Sequence, residues 1–268
     1  MRGAVVKTNV LTDADNTLWD TDRVFASAQL ELLGLVERAL KREAIPEDRL
    51  AYVRSLDQML AERHHAGLRY PPRHLAKAIA LALTGVRAQE AARLAWTSAT
   101  ERQVIGDLEA ETAERTFLAA VQRLPDLRDG VAEGIHALHT AGCLITVVTE
   151  GSREKAARTA RSHGIGHYID RIIEAPKHLG LYKRVQLLPG VSSPGYMIGD
   201  QLERDIRPAK EAGLITIYYP GGFKPRWEAD PQLVQPDFTV SSFAEVPAIV
   251  LKASHPPQKS NKFHSQPQ

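Results

Sequence analysis

Residues 12–20, TDADNTLWD, constrain this chain more than any other stretch. They put two carboxylates, Asp13 and Asp15, two positions apart at the end of Asn9-Val10-Leu11-Thr12, a short apolar run that reads as a strand. In an extended or gently turning backbone, side chains at i and i+2 point the same way, so both carboxylates face one pocket. Like charges that close repel, and burial worsens the repulsion. A bound cation, or a proton on one of the pair, relieves it. A calcium-binding EF-hand loop also begins Asp-x-Asp, but it needs Gly at its sixth position and Glu at its twelfth. Leu18 and Val24 stand there instead, which excludes it. The plain alternative is a polar turn in which both aspartates cap backbone amides, and the rest of the chain decides between the two.

Past Trp19 and Asp20 the pattern turns helical. Val24, Ala28, Leu32, Leu35, Val36 and Leu40 recur every three or four residues, the stripe of an amphipathic helix expected to end near Ile45-Pro46. Residues 50–60, 75–83, 88–95 and 103–124 read the same way, with 67–72, where Tyr70 precedes two prolines, as an extended break. Beyond Pro125 the texture changes. A helix over 130–140 closes on a left-handed Gly142, and 143–148 follows as a buried strand. Helices over 152–163, with Ser152 as N-cap, 181–188 and 202–212 then alternate with strands over 171–174, 196–199, 214–219 and 237–240. That rhythm implies parallel pairing, right-handed crossovers and helices on both faces of one sheet. The first strand needs the same sheet, since one strand cannot bury itself. Residues 1–18 and 128–252 are therefore expected to form one α/β core and 19–127 an all-helical insertion. Residues 253–268 are expected to be a disordered tail, rich in Pro, Ser, Gln, Lys and His.

Composition narrows the function classes. With 34 basic and 32 acidic residues the chain carries no electrostatic footprint of a nucleic-acid or polybasic membrane binder. One cysteine, Cys143, allows no intramolecular disulfide. No apolar run is long enough to span a bilayer and no leader-like segment opens the sequence, so the cytoplasm is the expected compartment. Neither a dinucleotide fingerprint nor a GxxxxGK[ST] phosphate loop occurs.

In open parallel sheets ligands bind beyond the carboxyl ends of the strands. The residues following the strands are Asp13 and Asp15, then Thr149 with Glu150, Gly151 and Ser152, then Lys177, then Asp200 with Asp205 one helical turn on. Several carboxylates, a hydroxyl and a lysine at one sheet edge suit a magnesium ion together with a phosphate. On these residues the chain resembles the haloacid dehalogenase-like superfamily of hydrolases. Its four motifs correspond here to Asp13-Ala14-Asp15-Asn16-Thr17, Thr149, Lys177, and Gly199-Asp200 with Asp205, in family order and across the whole core. Lys183 also lies between the second and fourth motifs. Lys177 is preferred because it follows a strand directly, whereas Lys183 falls inside the next helix.

The resemblance implies a parallel Rossmann-like core with an all-helical cap inserted after the first motif. It also implies a Mg2+-dependent phosphatase working through an aspartyl-phosphate on a small phosphomonoester. Asp13 would be the nucleophile and Asp15 the acid and base. Magnesium would sit on Asp13, Asp200 and the Asp15 carbonyl, phosphate on Thr149 and Lys177, with Asp205 supporting Lys177 or the metal from behind and Thr17 positioning the turn. Dehalogenase relatives lack an acid two residues after the first aspartate, so Asp15 argues against that reaction. A phosphonate-cleaving relative needs a cap lysine, for which Lys41 and Lys77 are present. A mutase needs a cap that recaptures the intermediate. A reading from another class is a catalytically idle member that keeps the fold as a binding or regulatory module, which has no use for Asp15. The oligomeric state is not legible.

Lesser features are a cationic cap segment with Arg63, His64, His65, Arg69, Tyr70, Arg73 and His74, suited either to a second anionic group of a substrate or to a plain exposed loop. His136 and His139, with Cys143 near in sequence, are spaced for zinc but lack an evident fourth ligand. Residues 221–231, GGFKPRWEADP, either wall a pocket or pack as an ordinary loop.

Overall fold

The computed structural model describes residues 7–62, 70–97, 104–188 and 191–253. The chain divides into two compact units. One comprises Met1–Trp19, Leu127–Gly221 and Glu228–Gln268, the other Asp20–Asp126 and Gly222–Trp227.

The first unit is built on a parallel sheet of six strands: β1 (Asn9–Thr12), β2 (Leu144–Thr149), β3 (Arg171–Glu174), β4 (Tyr196–Gly199), β5 (Ile215–Tyr218) and β6 (Phe238–Thr239), in the order β3-β2-β1-β4-β5-β6. β1 is central, its four residues buried on both faces and paired with β2 and β4. Alternation along the strands sorts the core into two layers. On one face Val10, Ile145, Val147 and Ile198 meet Val131, Ile135 and Leu138 of α6 (Val131–Thr140), with Val246 and Val250 of α11 (Val246–Ala253). On the other, Leu11, Val148 and Met197 meet Tyr182 and Val185 of α8 (Leu179–Gln186) and Ala209 of α9 (Arg207–Glu211). Ser152 caps α7 (Arg153–Ser162) by accepting from the Lys155 N–H, and Gly142 takes a φ of 79°, both as the sequence predicts.

Parts of this unit differ from expectation. The predicted helix over 202–212 opens as a wide π turn, Leu202–Ile206, before α9 begins. Pro208 has no N–H to offer Arg204, and that carbonyl accepts from the Tyr182 hydroxyl at 3.3 Å instead. The sequence reading also gives no sign of α11, although Val246, Ile249 and Val250 stand at helical spacing and pack on the core.

The second unit is helical: α1 (Thr21–Leu40), α2 (Arg49–Ala61), α3 (Pro72–Leu83), α4 (Ala88–Leu94) and α5 (Asp107–Ala120). Leu32, Leu33, Val36, Leu56, Leu60, Leu75 and Ile79 are fully buried in its core, each contributing about 1.5–3 kcal/mol. α1 stops five residues before the expected end because Lys41 adopts a left-handed conformation, φ 52°, and turns its N–H back to Arg38. α5 is shorter than the predicted 103–124, starting from an extended Gly106 and closing at Val121. Residues 222–227 belong with these helices: the Arg226 N–H donates to Gln58 Oε1 at 2.9 Å, and the Arg54 guanidinium lies 4.5 Å from the centre of the Phe223 ring.

The bend between α1 and α2 is held by Glu37, which accepts from both arms of Arg49 at 2.9 and 2.6 Å and from the Ala44 N–H at 2.8 Å. Burial alone would raise the Glu37 carboxyl, but these donors outweigh it and hold it below the usual range. The stabilisation is therefore present above the unfolded-state value of about 4.3 and lost as pH falls through the lower folded value. Glu37→Gln is expected to cost about 1–2 kcal/mol at neutral pH, Arg49 being partly exposed and screened. Thermal melts should show a gap between variant and native protein at about pH 7 that narrows as pH falls below the unfolded-state value; a gap that does not change with pH would contradict this.

Candidate active site

The sheet order fixes what meets at its carboxyl edge. β1 runs straight into Asp13, whose N–H donates to the Ile198 carbonyl of β4 at 2.8 Å, extending the ladder by one bond. The chain then turns tightly: the Leu18 N–H returns to the Ala14 carbonyl at 2.8 Å, with Asn16 in the left-handed region at φ 60°. Thr149 ends β2, Lys177 follows β3, and Asp200 follows β4. All lie in the α/β unit.

Lys177 is the hub. Its ammonium, on a side chain 5% exposed, donates to Asp13 Oδ1 and, at 2.6 Å, to Asp205 Oδ1. Lys183 is exposed on α8 and joins no such pair among the described residues. Asp205, fully buried on the π turn, accepts from the Gln201 N–H at 3.0 Å with its other oxygen. Asp200 is buried beside them and accepts from Thr17 Oγ1 at 3.4 Å, so Thr17 links the first loop to the fourth. Burial pushes the Asp13 carboxyl up to about 7, the Lys177 charge opposing and Asp205 adding to the rise. Burial likewise holds Asp200 well above the usual range, Asp13 and Asp205 reinforcing it. Burial would lower the Lys177 ammonium, but Asp13 and Asp205 overcome it and raise it well above its ordinary value.

Asp15 has a different set of partners. Its Oδ1 accepts from the Trp19 indole N–H at 3.1 Å, and its Oδ2 lies beside Gly151, where a Cβ would come within 2.9 Å of it and 3.2 Å of Thr149 Oγ1. Only glycine leaves that space, and it brings Asp15 and Thr149 to the same spot. The Gly151 N–H donates to Thr149 Oγ1 at 2.9 Å.

Three supporting residues escape sequence reasoning. Trp19, whose indole N–H holds Asp15, drew no functional reading. Glu150 accepts from the Lys177 backbone N–H at 2.9 Å and from Arg204 at 2.6 Å, fixing the loop that carries the lysine. Arg128 bonds the first loop from a distant part of the chain. Only the placement of Glu150 next to Thr149 offered a signal.

The residues fit a hard divalent cation. Asp13, Asp200 and Asp205 bring carboxylate oxygens within 4.8 Å of one another, and Asp13 Oδ2 is buried without a hydrogen-bond partner among the described residues. An all-oxygen donor set of this charge suits magnesium better than zinc.

The other candidates do not assemble. His136 and His139 flank the Tyr168 ring, at 5.2 and 5.1 Å between ring centres, and make no metal-ligating cluster among the described residues. Arg63, His64, His65 and Arg69 lie outside the described residues. Tyr70 donates to Asp57, Arg73 pairs with Glu114 at 3.1 Å, and His74 Nδ1 meets the Ala95 carbonyl at 2.8 Å. No helix is long and apolar enough to cross a membrane among the described residues.

The family model for haloacid dehalogenase-like hydrolases matches residues 8–213, and the chain belongs to that family. No curated protein sequence matches it. Among solved structures it is similar to magnesium-bound YfnB of Bacillus subtilis, with 18% identity, 92% of this chain and 99% of that one covered, and a TM-score of 0.57. A predicted phosphoglycolate phosphatase from Haemophilus somnus gives 16% identity, 93% and 98% coverage and a TM-score of 0.59. A dehalogenase with an intermediate complex gives 14%, 91% and 97%, and 0.53. At these identities the likeness is one of fold.

Removing the one ammonium among these carboxylates leaves buried like charges together. Lys177→Met is expected to destabilise the protein in chelator by about 3–5 kcal/mol in urea unfolding, and adding Asp205→Asn should recover much of the loss. An unchanged midpoint in the single variant would contradict the assigned contacts.

Proposed function

We propose that this hydrolase is a Mg2+-dependent phosphatase that cleaves a small phosphomonoester through an aspartyl-phosphate. The observation that carries the reading is the Oδ2 of Asp13, buried beside Lys177 and without a hydrogen-bond partner among the described residues. A polar turn would satisfy that oxygen with backbone amides, whereas a nucleophile must keep an oxygen open.

In this reading an Asp13 oxygen attacks phosphorus in line as the bond to the leaving oxygen breaks. Asp15 gives its proton to that oxygen and becomes the carboxylate. Water then attacks the same phosphorus, Asp15 takes up its proton, the bond to Asp13 breaks, and inorganic phosphate leaves. Thr149 Oγ1 and the Lys177 ammonium hold the phosphoryl oxygens, where transition-state charge spreads. Asp205 keeps the lysine aimed, and Trp19 keeps Asp15 aimed. Asp13, Asp200 and the Asp15 carbonyl are the proposed metal ligands, with Asp205 beside them. Magnesium held there would supply positive charge that offsets the repulsion between the nucleophile and a phosphoryl dianion. The helical unit takes the role of a cap that excludes water and selects the substrate. Asp15 favours phosphoryl transfer over dehalogenation, since a halide leaving group needs no proton.

Release of phosphate from p-nitrophenyl phosphate is expected to require magnesium, to stop in chelator and to disappear in Asp13→Asn. Asp15→Asn should lower kcat by about 10²–10⁴-fold. Turnover indifferent to magnesium or to Asp13 would overturn the reading, and no turnover at all would favour a binding module.

A further inference from the structure

Arg128 is the first charged side chain after the chain returns from the helical segment to the α/β unit, and its guanidinium is spent entirely on backbone oxygens. Nη1 donates to the Asn16 carbonyl and, at 3.3 Å, to the Tyr219 carbonyl, while Nη2 donates to the Pro220 carbonyl at 2.7 Å. The guanidinium carbon lies 3.5 Å from the centre of the Tyr219 ring, stacked on its face. The Arg128 N–H donates to the Leu18 carbonyl at 3.0 Å, and the Tyr219 hydroxyl donates to the Asp129 carbonyl at 3.2 Å. One residue thus binds both ends of the Asn16–Leu18 turn and the exit of β5.

These two segments flank the carboxylates. Asn16 directly follows Asp15 and sits at a positive φ, in the left-handed region that asparagine tolerates better than most residues with a side chain. Pro220 leads into Gly221, where a Cβ would sit 2.7 Å from Asp200 Oδ2 and 3.2 Å from the Asn16 Cβ. The segment pinned by Arg128 is therefore packed against Asp200 on one side and the Asp13–Asp15 turn on the other. Arginine is suited to this position because its planar fork reaches three carbonyls at fixed angles and never loses its charge, which a lysine cannot match.

We propose that Arg128 is a positioning residue that clamps the nucleophile loop to the β5 exit and so sets the placement of Asp13 and Asp15 against Asp200. For its catalytic consequence this rests on the phosphatase reading. The clamp itself does not.

The test compares native protein, Arg128→Met and the milder Arg128→Lys, all full length. Hydrogen exchange read by mass spectrometry should quicken in Arg128→Met over peptides covering residues 13–19 and 219–222, with residues 144–149 of β2 unchanged. In magnesium-dependent turnover of p-nitrophenyl phosphate, kcat should fall by about 10–100-fold while KM changes by less than about threefold, as for a misplaced reacting group. Arg128→Lys should recover part of both effects. Exchange unchanged at both segments in Arg128→Met overturns the clamp. Faster exchange with kcat within about twofold of native overturns its catalytic role. Native protein without phosphatase activity sinks the phosphatase reading alone, and the exchange result still decides whether Arg128 fastens the two loops.

Discussion

Everything at the sheet edge depends on burying Asp13, Asp200 and Asp205 together with a single ammonium. Three carboxylates held close in a poorly hydrated site repel one another, and burial makes each charge harder to keep. Lys177 offsets part of this by bonding Asp13 and Asp205 at once, yet burial, with the neighbouring carboxylates adding to it, still raises both Asp13 and Asp200. A fold assembled for stability alone would fill this space with apolar groups. The site is instead left short of positive charge next to an oxygen with no partner among the described residues, the condition under which a cation and a phosphate bind well.

The topology supplies the groups in a row. β3, β2, β1 and β4 are consecutive in the sheet, and their carboxyl ends carry Lys177, Thr149, Asp13 and Asp200 in that order. Lys177 must reach across two strand spacings, roughly 10 Å, to meet Asp13, which calls for a long side chain on an extended loop. Glu150 steadies that loop from the neighbouring strand end by holding the Lys177 N–H. On the far side Asp205 packs against Gly199 at the end of β4, its N–H donating to the Gln201 carbonyl at 2.9 Å.

Much of this was legible in the sequence because it is local. Strand ends, helix periods, the Ser152 cap and the left-handed Gly142 each depend on a few adjacent residues, and the charged residues after each strand follow from the rule for open parallel sheets. Contacts made across long stretches of chain were not legible. Arg128 and Asn16 are 112 positions apart, and nothing near Arg128 distinguishes it from a surface arginine. Trp19 signals burial but not the direction of its N–H. Residues 222–227 read as a loop of the core, yet Phe223 and Arg226 bond to α2, because an aromatic ring and an open backbone N–H are met there by Arg54 and Gln58. Lys41 ends α1 early against the apolar stripe, a left-handed conformation that the sequence does not flag in a lysine.

The central claim is that Asp13 carries the phosphoryl group during turnover. Rapid acid quench of the protein turning over p-nitrophenyl phosphate with magnesium, followed by peptide mapping, measures it directly. The account predicts a phosphoryl group on Asp13 that is lost on treatment with hydroxylamine and does not form in Asp13→Asn. Turnover with no phosphoryl group on the protein, or with one on another residue, would contradict it.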